Sequence, residues 1–132
     1  MSLMNINFVI ASKDPRGLAD FYGKINSDKV IKGFNSNHYF ISLSNRSKID
    51  FYRPAKDYEW SNRGNSSSLC FQGEPSSEPL HAIEIWCSEL SKLGGTANSS
   101  PRLDEFGAEQ WINDPEGNHF LILVPFVFRD VI

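Results

Sequence analysis

The stretch NDPEGNHFLILVP, residues 113–125, joins a polar turn to an apolar run that ends at a proline. Pro115 presets its own backbone angle, Gly117 tolerates a positive φ, and the Asp114 carboxylate can accept hydrogen bonds from backbone amides that follow it. The apolar run after the turn has the length and composition of a buried strand. The stretch therefore predicts a tight turn that leads into the last strand of a sheet.

The rest of the chain repeats one order of elements twice: an apolar run, a helical pattern and three further apolar runs. In the first half, Asp14 and Pro15 are a favourable helix N-cap and first helical residue. In the second half, a helix opens near Pro79 and ends at Gly94-Gly95. This order predicts an α+β fold class of two repeated β-α-β-β-β modules. The predicted boundaries are 5–54 for the first module, 55–66 for a polar connector, 67–125 for the second module and 126–132 for a tail, within a single domain over 1–132.

The two modules align on their closing strands, because KIDFYRP and HFLILVP both end in a proline. This alignment places Asp50 opposite Leu121. The opening strands NFVIAS and SLCFQG align as well, and they place Asn7 opposite Ser68. The repeat is weak in residue identity but clear in pattern, and such a pattern is stronger evidence than any single residue.

Composition limits the classes of function. The chain has 132 residues with 40% hydrophobic and 22% charged residues, which is ordinary for a globular domain. A formal net charge of −3 argues against nucleic acid or an anionic membrane as a partner. No apolar run approaches the roughly 20 residues of a membrane span, and the N-terminus does not have the pattern of a signal peptide. Cys70 and Cys87 have no disulfide or metal-site spacing, so we expect buried free thiols and a cytoplasmic location.

Two longer stretches resemble a known superfamily. FVIASKDPRGLADFYGKI is similar to the first strand and helix of the vicinal oxygen chelate superfamily, and GGTANSSPRLDEFGAEQWINDPEGNHFLIL is similar to its C-terminal half. This superfamily contains glyoxalase I, bleomycin resistance proteins and extradiol dioxygenases, and the likeness covers about residues 5–125. The resemblance implies half-barrel sheets around a cavity, and a homodimer as in relatives of this fold.

The resemblance also identifies the positions that hold a metal ion in the superfamily's metalloenzymes. These positions fall on Asn7, Asp50, Ser68 and Leu121 of this chain. Leu121 has no donor atom, Ser68 and Asn7 offer only weak neutral oxygens, and Asp50 is the one charged donor, which is too few for a stable open site. We therefore expect no metal, no other cofactor and no assigned catalytic residue, as in bleomycin resistance proteins, which sequester a drug without reaction.

The predicted function is binding of a small organic molecule in a metal-free cavity. Such a cavity needs aromatic walls and a few polar anchors. The expected lining residues are Asp50, Tyr52 and Trp111, with Asn7 at the edge and His119 nearby. An ionised Asp50 among aromatic rings would favour a cationic or hydroxyl-bearing ligand, because a buried carboxylate needs a partner.

Two alternatives stay open at this point. The first is a metal-dependent lyase or dioxygenase of the same superfamily with a displaced metal site, formed by Asp50 and His119 with Glu109 as a possible third ligand. The second is a ligand-free dimeric domain that serves a protein partner.

Overall fold

The structure is a computed structural model that describes residues 7–44, 47–53 and 68–127. The chain divides into two compact units, residues 1–62 and 63–132. The predicted connector, 55–66, lies outside the described residues, and the single-domain organisation stays a prediction. Among these described residues, each unit contains one sheet and one long helix, so the predicted α+β class is confirmed.

The first unit follows the predicted β-α-β-β-β order. Its sheet has the strand order β1-β4-β3-β2, in which β1 runs parallel to β4 and the other neighbours are antiparallel. The elements are β1 (Phe8–Ala11), α1 (Pro15–Ile25), β2 (Val30–Lys32), β3 (His38–Ser42) and β4 (Lys48–Tyr52).

Helix α1 begins as the sequence predicts. Asp14 is its N-cap, and the Asp14 Oδ1 accepts a hydrogen bond from the Gly17 backbone N–H at 3.1 Å. Pro15 occupies the first turn, where its missing N–H leaves no helical hydrogen bond unmade. The cap therefore fixes where the helix starts.

Strand β4 separates the two faces of the first sheet. Ile49 and Phe51 are buried, and the ring of Tyr22 on α1 stacks on the Phe51 ring with a centroid distance of 5.4 Å. Because side chains alternate along a strand, Asp50 and Tyr52 point to the other side. We call the side turned away from the helix the distal face; in this unit it carries Lys48, Asp50 and Tyr52 from β4 together with His38 and Phe40 from β3.

The second unit repeats this arrangement with one additional strand. The sheet order is β5-β9-β8-β6, with β5 parallel to β9, and β7 also pairs with β8. The sequence did not predict β7, which forms a tight hairpin with β8. The elements are β5 (Leu69–Gln72), α2 (Pro79–Lys92), β6 (Thr96–Ala97), β7 (Arg102–Asp104), β8 (Gly107–Asn113) and β9 (His119–Pro125).

Strand β9 alternates in the same way as β4. Phe120 and Ile122 are fully buried on the side of α2, and Leu121 and Leu123 are half-buried on the distal face. Helix α2 covers the sheet through Ile83 and other apolar residues. Neither α1 nor α2 is long and apolar enough to cross a membrane.

The turn before β9 is held by Asp114, as the sequence predicts. Its Oδ1 accepts hydrogen bonds from the backbone N–H groups of Glu116 at 2.8 Å and Asn118 at 3.0 Å, and its Oδ2 accepts one from the Asn118 side chain at 2.9 Å. Gly117 takes a φ of 87°, a conformation that glycine adopts without strain. Asp114 is only 3% exposed, so these bonds replace the water that its carboxylate loses.

Replacing Asp114 with Ala should lower the free energy of unfolding by about 2–4 kcal/mol, because charge-assisted bonds to two backbone amides and one side chain are lost together. Chemical denaturation measures the effect, with Glu89→Ala, an exposed change on α2, as the control. An Asp114→Ala protein as stable as the control would show that the turn does not depend on this carboxylate.

Candidate functional site

The internal repeat places Asp50 and Leu121 at equivalent positions. On the parallel neighbour strand, Asp50 pairs with Val9 in the first sheet, and Leu121 pairs with Cys70 in the second. These partners lie two residues beyond Asn7 and Ser68, so the alignment made from the sequence agrees with the register of both sheets. Asp50 and Leu121 both lie on the distal face of their sheet.

Asp50 lies within a cluster of charged and polar side chains. His38 Nε2 is 2.7 Å from Asp50 Oδ1, and the Lys48 ammonium is 3.5 Å from the same oxygen. The Asp50 side chain is only 13% exposed, which makes these partners important for its charged form. Asn7 does not join the cluster; its side-chain oxygen accepts a hydrogen bond from the Lys48 backbone N–H at 3.2 Å.

Both ring nitrogens of His38 are engaged. The Phe34 backbone N–H donates to Nδ1 at 3.1 Å, so Nδ1 is the acceptor nitrogen of a neutral ring. The proton of that ring is then on Nε2, which donates to Asp50 Oδ1. A hydrogen-bond relay therefore runs from the Phe34 amide through His38 to Asp50, and neither nitrogen is left to bind a metal.

Aromatic rings and one glycine surround this relay. The Phe34 ring stacks on the His38 ring with centroids 5.5 Å apart, although Phe34 is 95% exposed. The Lys48 ammonium lies 4.6 Å from the centroid of Phe40, a cation–π contact. Gly33 makes room for the imidazole, since a Cβ at this position would lie 2.0 Å from His38 Nδ1.

Gly33→Ala should push the His38 ring out of the relay and lower the free energy of unfolding by about 1–3 kcal/mol, the usual range for overpacking. Ser36→Ala, in the same turn, is the matched control. Thermal denaturation gives the stability, and the histidine NMR signals report whether His38 has moved. Unchanged histidine signals in the Gly33→Ala protein would contradict the described packing.

The distal face of the second sheet is more apolar around the equivalent position. Leu121 lies between Cys70 on β5 and Trp111 on β8. The next row contains Glu109, whose carboxylate forms an ion pair with the Arg102 guanidinium. The guanidinium also donates a hydrogen bond to Glu109, which raises the pKa of Arg102 above its usual value. Glu109, the possible third ligand of a displaced metal site, is therefore already engaged by Arg102.

His119 lies at the start of β9 on this same face. Its Nδ1 contacts the Asn113 side-chain oxygen and is 3.4 Å from the Asn98 side-chain nitrogen. Because an oxygen of this kind accepts, Nδ1 carries the proton, and the interaction orients the ring. The Asn113 side chain therefore holds His119, since a protonated Nδ1 cannot also accept from the Asn98 nitrogen, and the described partners of His119 include no carboxylate.

The two thiols are less buried than the sequence suggested. Cys70 is exposed and Cys87 is half-buried, so the expectation of buried thiols is wrong for Cys70. The reason is that Cys70 lies on the distal face of β5, and not on the side covered by α2. Partial burial, and then the negative charge of Glu109, raise the pKa of Cys70; burial also raises the pKa of Cys87, although the Gln110 amide opposes this.

Glu109→Gln should speed alkylation of Cys70 at pH 8, because removing the neighbouring negative charge lowers the pKa of the thiol and increases the thiolate fraction. The rate of reaction with iodoacetamide in a Cys87→Ala background measures this. Glu105→Gln, at the exposed β7–β8 turn, should leave the rate unchanged. Equal rates in all three proteins would show that Glu109 does not act on Cys70.

The residues at the superfamily's metal positions do not fit a transition metal. Leu121 offers no donor atom, and the Asp50 carboxylate already interacts with the His38 ring and the Lys48 ammonium. Within residues 7–44, 47–53 and 68–127, no group of three or more His, Cys, Asp or Glu side chains is arranged to hold a metal ion. A stable site of the superfamily's type needs several such donors around one ion.

The five residues predicted to bind a ligand fall into two groups. Asp50 and Tyr52 share the distal face of β4 with Asn7 at the edge, whereas Trp111 and His119 share the distal face of the second sheet. That all five line one cavity stays a prediction. Sequence reasoning missed His38 and Lys48, although the alternation of HYFIS and KIDFY, paired as a hairpin, could have placed both beside Asp50.

The comparisons with known proteins identify the fold. No model of a protein family and no curated protein sequence matches the chain. A glyoxalase/bleomycin resistance protein/dioxygenase family enzyme from Burkholderia phytofirmans matches with a TM-score of 0.70 at 17% identity, over 92% of this chain and 97% of that one. A glyoxalase/bleomycin resistance protein from Albidiferax ferrireducens matches with a TM-score of 0.62 at 21% identity, over 89% and 95%.

A lactoylglutathione lyase from Agrobacterium tumefaciens is also similar, with a TM-score of 0.56 at 13% identity over 93% of this chain and 92% of that one. At such identities the likeness establishes the fold. The chain has the glyoxalase/bleomycin resistance fold, as the resemblance predicted from the sequence.

Proposed function

We propose that the chain is a metal-independent protein of the vicinal oxygen chelate superfamily that binds a small organic molecule on the distal faces of its sheets. The observation that carries this proposal is the engagement of Asp50. The one charged donor at the superfamily's metal positions is hydrogen-bonded to His38, and the opposite position is Leu121. A metal ion would have to displace His38 and still find its remaining ligands elsewhere.

The distal faces offer the surfaces that a small-molecule site needs. Phe40 and Tyr52 flank the Asp50 cluster in the first sheet, and Trp111 and Leu121 provide apolar area in the second. Such sites combine aromatic walls with a few polar groups that fix the orientation of the ligand. Because His38 and Lys48 already partner Asp50, the physical reason for expecting a cationic ligand is gone, and a planar, largely neutral molecule suits this face better.

Assembly and location belong to the same proposal. We propose a homodimer, since closed two-fold pairing covers sheet edges that would otherwise attract other chains. We propose a cytoplasmic location, because Cys70 and Cys87 have no disulfide spacing.

Two measurements on one preparation test the proposal. Protein made without chelator should contain no stoichiometric transition metal, and titration with zinc or nickel should show no tight binding. In a screen of aromatic and hydroxylated small molecules, at least one should raise the melting temperature, because a ligand at 100 times its Kd stabilises the native state by about 2.7 kcal/mol. Trp111→Ala should reduce the shift caused by that molecule, and Glu89→Gln on α2 should not.

Contrary results point to the alternative functions. Stoichiometric metal that is lost in the Asp50→Ala protein would establish the displaced-site enzyme, and His119 would be the next ligand to test. A metal-free protein that no molecule stabilises would instead favour the ligand-free interaction domain.

A further inference from the structure

A cleft in the second unit is independent of the distal faces. It is open to solvent on one side, and its volume is about 420 Å³. It lies between the first two turns of α2 and strand β7. Leu103 of β7 pairs with Ala108 of β8, and the Ala108 side chain is buried on the α2 side of the sheet. The cleft therefore lies on the α2 side, opposite the distal face that carries Trp111 and Leu121. The lining residues are Ser77, Glu78, Pro79, Leu80, His81, Glu84, Leu103 and Phe126.

The cleft has an apolar floor that is only partly covered. Leu103 is 54% exposed and Phe126 is 39% exposed, and Leu80 completes the surface from the helix. Exposed apolar side chains are common one at a time, but here two of them, Leu103 and Phe126, line one concavity together with the half-buried Leu80. Covering this floor with an apolar group would remove it from water, which favours a ligand with an apolar body.

The rim of the cleft is negatively charged. Glu78 and Glu84 both line it, and neither carboxylate has an ion-pair partner among the described residues. Glu78 is the N-cap residue of α2, yet its side chain does not cap the helix. Arg102, the neighbour of Leu103 in the chain, is already paired with Glu109 and Asp104.

The start of α2 contributes an opposing positive charge, equivalent to about half an elementary charge. Two full carboxylate charges exceed it, so the net field at the rim favours a cation. The apolar floor favours a ligand with an apolar body, and the acidic rim favours a ligand with a positive charge.

We propose that this cleft binds a small organic cation with an apolar body, of the arylalkylammonium class. The aromatic or alkyl part covers Leu103 and Phe126, and the ammonium lies between Glu78 and Glu84. The site does not depend on the proposed function, since it shares no residue with the distal faces.

Three probes of matched shape test this site: 2-phenylethylammonium, 2-phenylethanol and 3-phenylpropionate. Each is titrated into the full chain at pH 7.5, and two-dimensional NMR of the backbone amides locates the binding. The cation should cause saturable shifts in the first turns of α2 and in β7. The alcohol should bind about five-fold more weakly, a difference of about 1 kcal/mol, and the anion more weakly still.

Variants separate the charge from the apolar floor. In the Glu78→Gln/Glu84→Gln protein, the affinity for the cation should fall to that for the alcohol, while the alcohol itself binds as before. Leu103→Ser should weaken both probes, and Glu89→Gln, further along α2, should change neither. The amide spectrum of each variant reports whether it is folded.

Equal affinity for all three probes, no saturable binding of the cation, or shifts confined to β4 and β9 would each overturn the proposal. Because the distal-face ligand is tested by metal content and by Trp111→Ala, failure of one proposal leaves the other standing.

Discussion

The two faces of each sheet are set by one constraint: in the part of each unit that the structure describes, one long helix covers one side of the sheet. Residues of alternating polarity then divide between a side packed on the helix and a distal side. Phe51 and Phe120 are buried by this packing, and their neighbours Asp50 and Leu121 are directed to the other side. The same alternation that builds the core therefore assigns the residues available for a ligand.

The distal face of the first sheet shows how a half-buried carboxylate is retained without a metal. Asp50 loses much of its contact with water, and a hydrogen bond from His38 and the nearby Lys48 ammonium compensate for that loss. The Phe34 amide fixes which nitrogen of His38 carries the proton. A metal ion would have to break these interactions and would receive no donor atom from Leu121. Metal binding here would therefore remove interactions that stabilise the first sheet.

Local patterns in the sequence predicted much of this architecture. The Asp14 cap, the turn around Asp114 and the equivalence of Asp50 with Leu121 all depend on short-range spacing or on a repeat, and the structure agrees with each. The relay was not predicted, because it requires the register of β3 on β4 and a backbone amide from the preceding turn. The cleft beside α2 depends on β7, a strand too short to show an alternating pattern of apolar and polar residues. The exposure of Cys70 depends on which face of β5 it occupies.

In this structure His38 keeps Asp50 engaged and unavailable to a metal. The most direct test is the ¹⁵N NMR spectrum of the His38 ring at neutral pH, recorded before and after one equivalent of zinc is added. We expect the ring proton on Nε2 with Nδ1 accepting from the Phe34 amide, and no change when zinc is present. A ring protonated on Nδ1, or loss of the Nε2 proton on addition of zinc, would contradict it.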